Sequence, residues 1–109
     1  MSMIVSTTPS LEGRSVENYL GIVTGEAIMG ADLLKDLFAS FRDLMGGRSK
    51  AYEEEMEKAR AVALEEMISK AANIGANAVL GVNIDYETIT SDSGSMMMVC
   101  VSGTAVQVR

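Results

Sequence analysis

Three consecutive methionines, Met96 to Met98, lie two places before the single cysteine of the chain, Cys100, in the segment GSMMMVCVSGTAV. In a β-strand successive side chains point to opposite faces, so Met96, Met98 and Cys100 share one face. Soft ions such as Cu(I) prefer sulfur ligands, and flexible Met side chains can bridge the roughly 7 Å between alternate Cα atoms of a strand. Met also fills irregular cores readily. The segment therefore predicts either a soft-metal site or a buried strand, and the buried strand is the more typical of this pattern.

Other metal sites find less support in the sequence. The chain has no histidine and one cysteine, which excludes a zinc finger or a Cys/His cluster. Asp85 and Glu87 share a strand face and Asp92 falls in the following turn, so a hard cation such as Ca²⁺ or Mg²⁺ is conceivable there. No EF-hand-like spacing supports that cation site, and a solvated outer face of a strand is the ordinary explanation.

Glu26 is an unusual acidic residue, because it shares its parity in an apolar segment with Ile22 and Ile28. A carboxylate among aliphatic side chains must find a partner or shift its pKa. Arg42 and Arg48 are the candidate partners. We expect a buried ion pair or a contact between subunits, with a general acid or base as the alternative.

The segment GGRSK is a candidate anion site. Gly46, Gly47, Arg48, Ser49 and Lys50 come just before a predicted helix, where free backbone N–H groups and the helix dipole attract anions. The segment matches neither of the glycine-rich phosphate-binding motifs GxxxxGK[ST] and GxGxxG. The alternative is a glycine turn between two helices, with Ser49 as the N-cap.

The elements that must position these residues follow from hydrophobic periodicity. Period-two segments predict strands and period-3.6 segments predict helices, in the order ββααββ with boundaries near residues 3–7, 16–29, 33–45, 49–74, 77–90 and 96–108. Because the strands precede and follow the helices, we expect an α+β domain spanning residues 1–109, with a small antiparallel sheet backed by two helices. In the second strand Gly21, Gly25 and Gly30 predict a bulge or a close approach of another backbone.

Composition limits the class of protein. With 48% hydrophobic but only 5% aromatic residues, the core is built from aliphatic and thioether groups, and such a chain often needs neighbouring subunits to complete it. A net charge of −6 argues against nucleic acid as a partner. The segment MSMIVSTTPS has neither a basic leader nor a long apolar run, so we expect a cytoplasmic protein that is not bound to a membrane. Without histidine no Ser-His-Asp triad is possible, and we expect a protein that is not an enzyme.

Five segments, in this order and spacing, resemble the YbjQ-like family of small bacterial and archaeal proteins: STTPSLEG, VTGEAIMGA, RDLMGGRSKAYE, GANAVLGVNIDYE and SMMMVCVSGTAV. The family is described as uncharacterised or as a candidate heavy-metal-binding one. The resemblance implies a compact two-layer subunit, like that of dodecins, assembled into a homopentameric ring. A ring would gather weak ligands from several subunits around its axis, which would favour the soft-metal interpretation.

Overall fold

A computed structural model describes residues 3–29, 50–91 and 94–109 of the chain. These residues form, in chain order, β1 (Ile4–Val5), β2 (Val16–Met29), α1 (Lys50–Asn73), β3 (Ala78–Ser91) and β4 (Gly94–Val108). The α+β class is therefore confirmed. The first of the two predicted helices, residues 33–45, lies outside the described residues, and so does Gly30.

The four described strands form one mixed sheet in the order β1-β3-β4-β2. β4 pairs with β2 on one side and with β3 on the other, antiparallel in both cases. The prediction of a wholly antiparallel sheet was wrong at β1, which runs parallel to β3 with Ile4 opposite Ala78. The physical reason is that β1 and β2 lie at opposite edges of the sheet, so no hairpin turn fixes the direction of β1.

Helix α1 covers one face of the sheet, which we call the helix face. The main core lies between them, and its fully buried members include Ala63, Met67 and Ala71 of the helix and Val79, Val99, Val101 and Ala105 of the strands. Small side chains therefore line the inward surface of α1. The helix predicted over residues 49–74 ends at Asn73, and Ile74, just beyond it, is 48% exposed.

The end of α1 is a glycine cap of the Schellman type. Gly75 has a φ of 90°, its N–H donates to the carbonyl of Ala72, and the N–H of Ala76 donates to the carbonyl of Ala71. This pair of hydrogen bonds satisfies helix carbonyls that have no partner within the helix and turns the chain into β3. Gly75 is therefore the residue that caps the end of the helix.

Helix α1 approaches β2 most closely at Gly25. A Cβ atom built on Gly25 would collide with the carbonyl oxygen of Ala63 and would lie 2.9 Å from the backbone nitrogen of Met67. The expected close approach is thus confirmed at Gly25. At Gly21, which has a φ of 132°, the pairing of β2 with β4 shifts register, as a bulge requires.

A second apolar cluster lies at the other end of the sheet and on the opposite face. Its buried members are Ala78, Leu80, Val106 and Val108, with Ile4, Leu11 and Val16 packed against them. The segment between β1 and β2 helps to cover this cluster. The sheet is therefore covered on both sides near the start of β3 and the end of β4. Toward the β3–β4 turn, the helix covers one side.

We predict that Gly25→Ala lowers the free energy of unfolding by about 2 kcal/mol, because the new methyl group has no space between β2 and the helix backbone. The measurement is urea unfolding at one fixed protein concentration. Thr24→Ala is the matched control, since Thr24 is exposed on the adjacent position of the same strand, and its loss is expected to cost about 1 kcal/mol or less. Equal effects of the two substitutions would contradict the close packing at Gly25.

Candidate metal-binding face

The half of the sheet nearest the β3–β4 turn has a face that α1 does not cover, which we call the open face. It is formed by alternate residues of three strands: Ile22, Thr24, Glu26 and Ile28 of β2, Asn83, Asp85 and Glu87 of β3, and Met96, Met98, Cys100 and Ser102 of β4. Ile22 is 81% exposed and Ile28 is 63% exposed. Large aliphatic side chains therefore stand in solvent next to polar and sulfur-containing ones.

The methionine run is divided between the two faces, as strand alternation requires. Met97 is buried on the helix face together with Val99, whereas Met96 is 38% exposed on the open face. Met98 and Cys100 are half-buried on the open face. The three residues predicted as a soft-metal site therefore lie on one accessible face. Only the alternate residues, Met97 and Val99, are buried as the buried-strand interpretation expects.

Cross-strand pairing places carboxylates on both sides of the sulfur atoms. Cys100 of β4 lies opposite Glu26 of β2 and opposite Asp85 of β3. In the next row Glu87 of β3 lies opposite Met98. Side chains of directly opposite residues in an antiparallel pair have Cβ atoms about 5 Å apart, so one thiol, one thioether and three carboxylates form a single patch.

Hydrophobic periodicity alone does not bring these residues together, although one local signal in the sequence does. β3 and β4 are connected through residues 92–93, with Ser91 opposite Gly94. Counting back from a two-residue connection, which is common in hairpins, places Glu87 opposite Met98 and Asp85 opposite Cys100. No comparable local signal gives the pairing of Glu26, because β2 joins the sheet from a distant part of the chain.

Glu26 itself is exposed, so the expectation of a carboxylate buried among aliphatic side chains was wrong. Glu26 does share a face with Ile22 and Ile28, as predicted, but that face is the open face. There the described residues do not cover the aliphatic side chains, which are exposed. The proposed partners Arg42 and Arg48 lie outside the described residues. An exposed carboxylate at this position does not support the prediction of a general acid or base.

Two hydrogen bonds involve Asp85 and the backbone of Glu26. The side-chain amide of Asn83 donates to Oδ2 of Asp85 at 2.8 Å, and the backbone N–H of Glu26 donates to Oε2 of Glu66, on α1, at 3.4 Å. Hydrogen bonding from Lys70, then from the Glu26 backbone, lowers the pKa of Glu66. Helix α1 therefore anchors β2 through a carboxylate at the edge of the sheet.

The thiol of Cys100 titrates at higher pH than an ordinary cysteine. Partial burial is the largest cause, and the negative charges of Glu26, Glu87 and Asp85 raise the pKa of Cys100 further, because each of them repels a thiolate. The group is therefore a neutral thiol near pH 7. A cation that takes the place of the thiol proton would relieve the same repulsion.

The donor set restricts the kind of metal ion that fits. Among residues 3–29, 50–91 and 94–109 there is no group of three or more His, Cys, Asp or Glu side chains that could hold a metal ion. Ions that need several nitrogen, oxygen or thiolate ligands, such as Zn²⁺ or Ca²⁺, therefore lack a ligand set in these residues. A soft ion with few ligands fits better, since Cys100 with the thioethers of Met98 and Met96 supplies sulfur alone.

The remaining predicted sites fall largely outside the described residues. Of the anion-site residues, only Lys50 is described, as the first residue of α1; Gly46, Gly47, Arg48 and Ser49 precede it. Anion binding there stays a prediction from the sequence. Asp92 also lies outside the described residues, and Asp85 and Glu87 are exposed, as the solvated-face interpretation expects.

The described fold is that of a small α+β protein with a helix on one face of a mixed sheet. It is similar to the crystal structure of a protein of unknown function from Pediococcus pentosaceus ATCC 25745, described as a member of the DUF74 family, with a TM-score of 0.63, 12% identity and coverage of 98% of each chain. A family model described as "Putative heavy-metal-binding" matches residues 3–109. The chain therefore belongs to the YbjQ family. Within the described residues, no helix combines the length and apolar character needed to span a membrane.

We predict that Glu26→Gln lowers the pKa of Cys100, because one of the charges that repel its thiolate is removed. Alkylation by iodoacetamide at about pH 8 should become about twofold faster, since only the thiolate reacts. Glu65→Gln on the exposed surface of α1 is the control and should leave the rate unchanged. Identical rates for all three proteins would show that Glu26 does not act on the thiol.

Proposed function

We propose that the protein binds a soft, monovalent metal ion, of which Cu(I) is the natural example, through Cys100, Met98 and Met96 on the open face. The observation that carries the proposal is the division of the strand: the three sulfur-bearing residues share the accessible face, while Met97 between them is buried in the core. A buried strand alone would explain Met97 but would not require sulfur at three successive positions of an exposed face.

The ligand chemistry of these residues suits such an ion. Soft thiolate and thioether ligands select Cu(I), and a thiolate supplies the one negative charge that neutralises a monovalent ion. Binding would displace the proton of Cys100, which the surrounding carboxylates otherwise keep on the sulfur. The description of the YbjQ family as heavy-metal-binding supports the same class of ligand.

We also propose that the protein acts as a homo-oligomer, with the pentameric ring that the family resemblance implies as the expected state. Two features support association: the aliphatic side chains of Ile22 and Ile28 are exposed on the open face, and β2 forms an edge of the sheet. Exposed apolar side chains and free strand edges are both typical of surfaces that pair with another chain. Neighbouring subunits would bring additional sulfur ligands to the ion.

The test of metal binding is a titration with Cu(I) under anaerobic conditions, in competition with a chromogenic chelator. We expect wild type to withdraw Cu(I) from the chelator, and the variant Met96→Leu/Met98→Leu/Cys100→Ser to lose at least about tenfold in affinity, because all three sulfur ligands are gone.

Met97→Leu is the matched control, since it removes a methionine of the same strand from the opposite, buried face. Leucine has a similar volume, so the fold should tolerate it at a cost below about 1.5 kcal/mol, and Cu(I) affinity should equal that of wild type. Unchanged affinity in the triple variant would refute the proposed site.

The test of assembly is native mass spectrometry of the purified protein, which counts subunits and bound ions together. We expect a homo-oligomer, five subunits being the predicted number. Replacing Ile22 and Ile28 by Ser should shift the population toward smaller species, because it removes exposed apolar surface from the proposed contact. A monomer at micromolar concentration would contradict the proposed assembly without affecting the metal site of a single chain.

A further inference from the structure

The most strongly charged surface next to the sulfur residues is the acidic patch, which consists of Glu26, Asp85 and Glu87. All three side chains are exposed, and they approach β4 from both neighbouring strands. Glu26 and Asp85 lie directly opposite Cys100, and Glu87 lies directly opposite Met98. The negative charges therefore flank the row of sulfur residues on both sides.

No basic side chain offsets this charge among the open-face residues of β2, β3 and β4. The basic residues that the described ranges contain lie elsewhere. Lys50, Lys58, Arg60 and Lys70 belong to α1, where Lys58 and Lys70 pair with Glu55 and Glu66 at 3.3 and 3.0 Å. Arg14 precedes β2, and Arg109, at the far end of the sheet, pairs with Glu17 at 3.5 Å. Within the described ranges, every charged side chain of the open face is therefore acidic.

The three carboxylates do not converge with the thiol on one point. In the described part of the chain, no three Asp, Glu or Cys side chains form a metal-ligand group, and the side-chain amide of Asn83 donates to Asp85. Their effect on a bound ion would therefore be exerted through space rather than by coordination. Through-space attraction between charges is screened by salt, whereas a coordination bond is not screened.

From this arrangement we infer that Glu26, Asp85 and Glu87 select the charge of the species that the sulfur residues accept, favouring positively charged forms of a soft metal over its anionic complexes. The inference rests on the proposed function, because it concerns the same site. In water, each carboxylate several ångströms from a monovalent cation is expected to strengthen binding about threefold, and three partly screened carboxylates about tenfold. An anionic metal complex would be repelled by the same charges.

The experiment uses Ag(I), supplied as its nitrate, as an air-stable soft monovalent probe, with calorimetric titration of the full chain in nitrate buffers. The variant Glu26→Gln/Asp85→Asn/Glu87→Gln removes the three charges while keeping side chains of the same shape. Its matched control, Glu54→Gln/Glu57→Gln/Glu65→Gln, removes three exposed charges from α1 on the other side of the sheet. The comparison is made at about 0.01 M and about 1 M ionic strength, where the screening lengths are about 30 Å and 3 Å.

We expect the open-face variant to bind Ag(I) about tenfold more weakly than wild type at low ionic strength and within about twofold of it at high ionic strength. The helix variant should stay within about twofold of wild type at both. Equal losses in the two variants would overturn the inference, because total charge would then be responsible. A loss that persists at high ionic strength would also overturn it, because the carboxylates would then be ligands.

The sulfur site and the charge selection by the carboxylates are distinguished by different outcomes. If wild type binds Ag(I) and the open-face variant binds it equally well, the charge selection is wrong and the sulfur site stands. If wild type takes up no Ag(I) at either ionic strength, the proposed function is wrong and the inference falls with it. Should the triple variant not fold, Glu26→Gln alone is expected to weaken binding two- to threefold at low ionic strength, and an unchanged affinity would overturn the inference.

Discussion

The contact between the backbone of α1 and the backbone of β2 at Gly25 is the constraint on which the rest of the structure depends. A helix can lie this close to a strand only where both surfaces lack bulky side chains, and here a glycine meets the carbonyl of Ala63. The alanines along α1 extend the same flat surface, with Ala63 and Ala71 fully buried. A core with so few aromatic residues is stable because its layers approach closely and pack densely, rather than because large rings fill the space between them.

That close packing on one side determines the character of the other side. Because α1 occupies the helix face, the opposite side chains of β2 and β4 are left accessible in the described chain, including Ile22 and Ile28. Cys100 lies in the middle of the sheet, since β4 is flanked by β2 and β3 along its length. Glu26 reaches Cys100 from a distant part of the chain, whereas Asp85 and Glu87 come from β3, the strand that precedes β4. Strand pairing places all three beside β4.

Much of the fold could be predicted from periodicity, because strands and helices differ in the spacing of their apolar residues. Periodicity predicted the helix over residues 49–74, and the glycines of the second strand predicted the close approach at Gly25. Periodicity does not predict which face of a strand is covered, since Glu26 has the same parity as Ile28 whether that face is buried or open. The direction of β1 and the meeting of Glu26 with Cys100 depend on contacts between distant segments, for which a single sequence contains no local signal.

The alternation of Met96, Met97 and Met98 also has an evolutionary consequence. Met97 packs in the core, whereas its neighbours in sequence, Met96 and Met98, lie on the open face. Adjacent residues of this segment therefore have independent physical roles. Substitutions at even positions of β4 between 96 and 102 change surface chemistry without opening cavities in the core, so a related chain can carry different surface side chains there while keeping the same scaffold. The strand pleat thus gives this small protein a surface that can diversify under little constraint from folding.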